Sequence, residues 1–177
     1  MNDSEKKKFL SDLSNKSGSD LVQTLEFFRT DGDAELLPSV LDVLLRNPEQ
    51  IVSDTIIDIV SYLKDDTAAG VLFDFVYGLA EGKLKKDLLV SLWQTGCDFS
   101  NNAGRVVEML FAADDFETAF EVLTLLENSV ENVGQDVAYD FFNRIKGLEM
   151  MSNPDFSGIY SAAKEHFLML AKGREDY

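Results

Sequence analysis

Apolar residues recur at helical spacing along almost the whole chain. Three clear series are Ile56, Ile57, Ile59, Val60 and Leu63; Leu88, Leu89, Leu92 and Trp93; and Ala119, Phe120, Val122, Leu123 and Leu126. Each series fits the i, i+3, i+4, i+7 spacing of an amphipathic helix better than the strict alternation of a strand. No pair of segments has the pattern of a β-hairpin. The sequence therefore predicts an all-α protein whose apolar stripes, Trp93 included, form the core.

The polar breaks between these series divide the chain into ten predicted helices. They cover residues 4–14, 18–29, 33–46, 49–64, 67–80, 84–96, 101–113, 115–129, 134–148 and 155–173. Several breaks contain Asn or Asp, namely Asn47, Asp65-Asp66 and Asp114-Asp115. Such short side chains accept hydrogen bonds from the free N–H groups of a first helical turn. We interpret them as caps, because a glycosidase-type pair of carboxylates must instead be held at a fixed separation in a cleft.

The predicted helices repeat in pairs. A shift of about 33 residues aligns the apolar positions of the helix at 49–64 with those at 84–96, and a further shift of about 30 reaches the helix at 115–129. A period near this length with two helices per unit is typical of an α-solenoid. We therefore predict one solenoid domain over residues 1–177. Its best repeats are 33–66, 67–100 and 101–133, with capping helices at 4–29 and 134–173.

Two segments carry a resemblance to a known family. Asp33-Ala34-Glu35-Leu36-Leu37-Pro38-Ser39-Val40-Leu41 resembles the first helix of a HEAT repeat. Leu92-Trp93-Gln94-Thr95-Gly96-Cys97-Asp98-Phe99-Ser100 is similar to a stretch of small uncharacterised bacterial HEAT-repeat proteins. The chain departs from the pattern of this armadillo-like family, because its second helices lack the arginine that usually links repeats. The resemblance implies a right-handed α-α superhelix of about five antiparallel helix pairs. It further implies a scaffold or adaptor without catalytic residues.

Composition narrows the partners that the chain can have. Of the 177 residues 45% are hydrophobic, which is too apolar for a disordered protein. The 32 acidic and 16 basic residues give a net charge of −16, which disfavours binding to nucleic-acid phosphates. No apolar run approaches the roughly 18–20 residues of a membrane span, and the first residues do not resemble a signal peptide. We therefore expect a cytoplasmic protein with no nucleic-acid or membrane partner.

Residues that could carry out catalysis are sparse. Gly82-Lys83 lacks the remaining features of a phosphate-binding loop, and no pattern of metal ligands is present. Cys97 is the only cysteine, so we interpret it as a small apolar residue that takes part in no intramolecular disulfide. His166 is the only histidine, and we predict that it is half-exposed on the last helix. We expect no enzymatic activity, no cofactor and no metal.

Acidic residues are concentrated between positions 87 and 143. This segment has eleven acids and only Arg105 as a base, a local net charge of −10. One interpretation is a surface that only keeps the protein soluble. The other is a surface that attracts a basic partner through its electrostatic field.

The family resemblance suggests where such a partner would bind. In HEAT-type solenoids the second helices of successive pairs line the concave side. The shifts given above align Asp54 with Asp87 and Glu117, Asp58 with Ser91 and Glu121, and Ser61 with Gln94 and Thr124. The predicted partner-binding residues are Asp54, Asp58, Asp87, Ser91, Gln94, Glu117 and Glu121.

Two functional hypotheses follow. The first is a non-enzymatic scaffold or adaptor, a monomer or weak homo-oligomer, that binds a protein or peptide segment on its acidic concave surface. The charge of this surface suits a basic segment. The second is an accessory factor of an enzyme, or a HEAT protein similar to the lyases that attach chromophores.

Overall fold

All regular structure in the computed structural model is helical. The model describes residues 1–31, 34–46, 48–149 and 154–173, and these ranges contain no strand. Ten α-helices follow one another in them: α1 (Asp3–Asn15), α2 (Gly18–Asp31), α3 (Leu37–Leu44), α4 (Gln50–Ser61), α5 (Asp66–Gly78), α6 (Lys83–Gln94), α7 (Ala103–Ala112), α8 (Phe116–Ser129), α9 (Gln135–Glu149) and α10 (Ser157–Lys172). Short 3-10 turns at Ala34–Leu36, Ser100–Asn102 and Pro154–Phe156 precede α3, α7 and α10. The all-α prediction is confirmed, and each predicted helical segment overlaps one of these helices.

The first helix begins with a capping box. Asn2 Oδ1 accepts hydrogen bonds from the backbone N–H groups of Ser4 and Glu5, each at 3.0 Å. Glu5 Oε2 in turn accepts the backbone N–H of Asn2 at 2.8 Å. These reciprocal bonds satisfy N–H groups that have no partner within the helix, which explains why α1 starts at Asp3.

Aspartates cap two further helices. Asp65 Oδ1 accepts the backbone N–H of Ala68 at the start of α5, and Asp115 Oδ1 accepts that of Thr118 at the start of α8, both at 2.9 Å. The interpretation of the two acidic pairs as caps is therefore confirmed for one member of each. The predicted cap at Asn47 lies outside the described residues.

The chain divides into two compact units, Met1–Leu79 and Ala80–Tyr177. The first unit contains α1 to α5, and the second contains α6 to α10. The boundary falls inside the predicted repeat 67–100, so its two helices, α5 and α6, belong to different units. One solenoid domain over the whole chain stays a prediction.

In the first unit, each of the helices α1, α2 and α3 packs on the second helix that follows it in the chain. α1 packs on α3, α2 on α4, and α3 on α5. α3 also contacts α4, so the two helices of the predicted repeat 33–66 lie against each other. Large side chains that are fully buried in this unit are Leu25, Leu37, Leu41, Ile56, Leu72 and Phe73. Burying such a side chain typically stabilises a fold by about 1.5–3 kcal/mol.

In the second unit, α8 lies among three other helices. It packs against α6, α7 and α10, while α9 packs along α10. The helices of the predicted repeat 101–133, α7 and α8, therefore also contact each other. Large side chains that are fully buried in this unit are Leu88, Leu89, Leu92, Phe99, Leu110 and Phe167. Because α8 is covered on several sides, its solvent-facing residues lie on one side of the helix.

The histidine lies in the core of the second unit, so the prediction of a half-exposed side chain is wrong. His166 is only 8% exposed, and its Nε2 lies 2.8 Å from the carbonyl oxygen of Val130. A carbonyl accepts, so Nε2 is the nitrogen that donates its proton. Val130 follows α8, and the bond therefore ties the end of α8 to α10. His166 shares the helical spacing of Ile159 and Ala163, which is the sequence signal for its burial.

Candidate interaction surface

The two predicted partner-binding residues of the first unit, Asp54 and Asp58, are exposed on α4. Each of them contacts another side chain. Asp54 Oδ1 accepts from Gln50 Nε2 at 2.6 Å, one turn earlier on the same helix. Asp58 forms an ion pair with Arg29 of α2, in which Nη2 and Oδ2 are 2.6 Å apart. Water screens this pair because both side chains are substantially exposed, so its contribution to stability is about 0–1 kcal/mol. The charge of Asp58 is nevertheless compensated locally.

The three predicted residues of α6 differ in exposure. Gln94 is exposed, and Asp87 is half-buried and pairs with Lys83 at 2.5 Å. Ser91 is buried, with only 1% of its surface exposed, so the prediction that it faces a partner is wrong. Ser91 lies three residues after the buried Leu88 and therefore shares its stripe of the helix. Its hydroxyl donates to the carbonyl of Asp87 at 3.3 Å, so it is buried without losing a hydrogen bond.

Lys86 links α6 to the start of α8. Its Nζ lies 2.7 Å from Glu117 Oε2 and 3.2 Å from Asp115 Oδ2. The hydrogen bond to Glu117, followed by that to Asp115, raises the pKa of Lys86 above its ordinary value. The pKa of Asp115 is lowered, chiefly because its carboxylate accepts the backbone N–H of Thr118. Glu117 is thus exposed at the surface, but it forms an ion pair with Lys86 of the neighbouring helix.

The last predicted acid, Glu121, contacts the tryptophan. Trp93 Nε1 donates to Glu121 Oε2 at 3.1 Å, and both residues are half-buried. The prediction of Trp93 as a core residue is therefore wrong, whereas its neighbours Leu89 and Leu92 are fully buried as predicted. An indole N–H needs a hydrogen-bond partner, and a position at the edge of the α6–α8 contact provides one.

A charged cleft of about 410 Å³ opens where α6 and α8 begin. Its lining residues are Glu81, Gly82, Lys83, Lys86, Asp87, Asp114, Asp115 and Glu117. Five carboxylates and two ammonium groups leave this lining with a net charge of −3 at neutral pH. The cleft brings together Asp87 and Glu117, which occupy equivalent positions when the predicted repeats are aligned. It also includes Asp114 and Glu81, which the sequence reasoning did not assign to a binding surface.

Two phenylalanine rings lie on the exposed side of α8. Phe116 is 57% exposed and Phe120 is 50% exposed, so the prediction of Phe120 as a core residue is wrong. We call these two residues the aromatic stripe, and Glu117 and Glu121 the acidic stripe. The core of α8 is already supplied by residues on its opposite side, such as Val122. A sequence signal was present, because Phe120 comes three residues after Glu117 and four before Thr124 and so shares a side of the helix with polar residues.

Other candidate chemistry is limited in the part of the chain that the structure describes. There, no group of three or more His, Cys, Asp or Glu side chains is placed to hold a metal ion. Cys97 is buried, in agreement with its interpretation as a small apolar residue. None of the described helices is both long and apolar enough to cross a membrane.

The surface of the second unit thus combines an acidic stripe, an aromatic stripe and a negatively charged cleft. Such a surface attracts cations and offers apolar area for burial. Comparison with protein-family models, with curated proteins and with solved structures finds no match for this chain.

Proposed function

We propose that this chain is a non-enzymatic, cytoplasmic protein-interaction module with HEAT-like architecture. It binds a basic protein or peptide segment on the acidic surface of its second unit. The observation that carries the proposal is the cleft at the start of α6 and α8, which gathers Asp87, Asp114 and Glu117 into a lining with a net charge of −3. Opposite charges across an interface increase the rate of encounter and select the partner.

The packing of the helices supports the architecture in this proposal. In an α-solenoid each helix pair stacks on the next, so helices contact those two positions along the chain. The contacts of α2 with α4 and of α3 with α5 have this spacing in the first unit. In the second unit, the contacts of α6 with α8 and of α8 with α10 have the same spacing. Within each unit this spacing is the one expected of stacked helix pairs.

The ion pairs already present in the cleft leave its acids able to bind a cation. The side chain of Lys83 is 79% exposed in its pair with Asp87, and Glu117 is 71% exposed in its pair with Lys86. Exposed pairs contribute only about 0–1 kcal/mol. An arriving lysine or arginine therefore exchanges with them at small cost, while the surplus of acids remains for it to neutralise.

Charge reversal within and outside the cleft tests this proposal. The test variant carries Asp114→Lys and Glu117→Lys, and the control carries Asp140→Lys and Glu165→Lys on α9 and α10. All four positions are exposed, and both variants change the net charge from −16 to −12. The probe is a fluorescently labelled peptide of four Lys-Gly-Ser repeats, and its affinity is measured by fluorescence anisotropy at low and high salt.

We expect the test variant to bind the peptide more weakly than both the wild type and the control. Wild-type affinity should also fall as salt is added, because the attraction is electrostatic. Equal weakening in test and control variants would show that only net charge matters, and would contradict a site at the cleft. Capture from a native lysate followed by mass spectrometry then identifies candidate partners.

The alternative of a chromophore-binding or enzyme-accessory protein requires a different surface. A chromophore needs a largely apolar pocket with a few polar groups. The lining of the cleft is instead almost entirely charged. The charge of this cleft therefore favours a basic segment over a chromophore.

A further inference from the structure

We propose that the aromatic stripe of α8 makes the site selective for arginine. In this arrangement a guanidinium group of the bound segment lies over the rings of Phe116 and Phe120 and pairs with carboxylates of the acidic stripe. This inference rests on the proposed function and specifies the chemistry of the partner. The inference concerns a preference for arginine over lysine, which charge alone does not explain because the two side chains carry the same charge.

The two rings form a platform that is fixed in place. Their centroids are 6.4 Å apart and their planes differ by only 17°, so the two rings are nearly parallel. Phe116 also packs edge-on against Phe156, with centroids 6.3 Å apart and planes at 66°. Phe156 is only 4% exposed, so this contact anchors the platform on the core. Phe116 and Phe120 are nevertheless 57% and 50% exposed.

Carboxylates flank the platform. In each stripe the two members are four residues apart, so the stripes run side by side along the helix. Glu117 lies three residues before Phe120, a spacing at which two side chains on a helix are neighbours. The exposed Glu127 comes seven residues after Phe120, on the same side of the helix and about 10 Å further along its axis. A cation over the rings therefore lies close to negative charge.

Arginine matches this combination better than lysine does. The guanidinium group is planar, stacks on aromatic faces and is more weakly hydrated than an ammonium group. It also forms two parallel hydrogen bonds with a carboxylate. A ring face attracts cations through its quadrupole, and this attraction increases when water is excluded from the contact. An arginine can use the rings and the carboxylates at once.

The same charges argue against a second copy of the chain as the occupant. Two copies would bring net charges of −16 together, and a two-fold contact would place the acidic stripes near each other. Like charges at short distance repel. A cationic segment removes this repulsion and covers the exposed rings as well.

The test compares peptides that differ in one functional group. The probes are labelled peptides of four Arg-Gly-Ser repeats, four Lys-Gly-Ser repeats, and four citrulline-Gly-Ser repeats, where citrulline is a neutral counterpart of arginine. The test variant carries Phe116→Leu and Phe120→Leu, which keep apolar, helix-favouring side chains but remove the ring faces. The control is Tyr139→Leu, which removes a ring that is 54% exposed on α9. Circular dichroism and thermal unfolding establish that each variant is folded.

We expect the wild type to bind the arginine peptide about fivefold more tightly than the lysine peptide, given the strength of cation–π contacts. The double leucine variant should lose this preference, because its affinity for the arginine peptide falls more than its affinity for the lysine peptide, while the control keeps both affinities. The citrulline peptide should bind weakest. If the double variant does not fold, Phe120→Leu alone replaces it and should halve the preference or reduce it further.

The outcomes separate this inference from the proposed function. Equal binding of both cationic peptides by the wild type, with salt dependence retained, overturns arginine selectivity and leaves the proposed function intact. Equal loss of both peptides in the leucine variant also overturns it, because the rings would then supply only apolar area. Failure of both peptides to bind overturns inference and function together. A dimer seen by sedimentation in the wild type and absent from the leucine variant would assign the stripe to self-association and overturn the inference.

Discussion

Asp115 shows how one residue connects local structure with the surface. Its Oδ1 caps α8 through the backbone N–H of Thr118, while its Oδ2 lies 3.2 Å from Nζ of Lys86 on α6. One carboxylate thus starts a helix and helps to hold that helix against its neighbour. Asp114, the preceding acid, is exposed and lines the cleft. Sequence reasoning interpreted the pair as a cap, and the structure gives that role to Asp115.

The lowered pKa of Asp115 predicts a pH dependence of stability. The ionised carboxylate stabilises the fold fully above its unfolded pKa of 3.8, and this contribution is lost as the pH falls through the lower folded value. Asparagine caps a helix about as well but does not titrate there. We expect the free energy of unfolding of Asp115→Asn to approach that of the wild type as the pH falls from 7 to 3. Urea unfolding of dilute protein measures this, and Asp114→Asn is the control. A difference from the wild type that is independent of pH would contradict the prediction.

At the scale of helices, the sequence pattern predicted more of the fold than of the surface. The apolar period located all ten helices, because each must bury one stripe and that stripe recurs every 3.6 residues. The period did not locate the edges of the stripes. Ser91 is small enough to be buried, whereas Phe120 lies just outside the core stripe of α8 and stays exposed. Exposure at such edges depends on which neighbouring helix covers them, and this information is not contained in one helix.

The partial burial of Trp93 predicts a modest cost of truncation. Trp93→Ala removes a side chain that is only half-buried, so we expect a loss of about 1–2 kcal/mol in the free energy of unfolding. Phe167→Ala removes a side chain that is 0% exposed and packs on Phe141, and should cost about 3–5 kcal/mol. Urea unfolding followed by circular dichroism compares the two variants. A larger loss for Trp93→Ala would place Trp93 in the core after all.

At the scale of the whole molecule, the negative charge is divided evenly. The first unit has fifteen acids and seven bases and the second has seventeen acids and nine bases, a net charge of −8 for each. The strongly acidic segment at 87–143 begins just after Lys83, Lys85 and Lys86. Two of these lysines contact its acids in the folded protein, at Asp87 and Glu117. Charge counted over this segment alone therefore overstated the acidity of the folded surface, since lysines just outside the segment pair with its acids.

The net charge also predicts how the protein behaves in solution. At pH 7 a charge of −16 keeps molecules apart, and this repulsion disappears near the isoelectric point of about 4.3. We expect light scattering to rise to a maximum close to that pH. The variant with Asp140→Lys and Glu165→Lys should reach its maximum at a higher pH, because two negative charges are replaced by two positive ones. A maximum that stays at the same pH in this variant would show that association does not depend on net charge.

The hydrogen bond between Trp93 and Glu121 gives the molecule an optical reporter of its own. Trp93 is the only tryptophan in the chain, so indole fluorescence comes from the second unit alone, at the edge of the proposed binding surface. We expect a cation that pairs with Glu121 to compete with the indole for this carboxylate and so to change the emission. Occupancy of the acidic stripe can therefore be followed in the unmodified protein, without a dye on either partner.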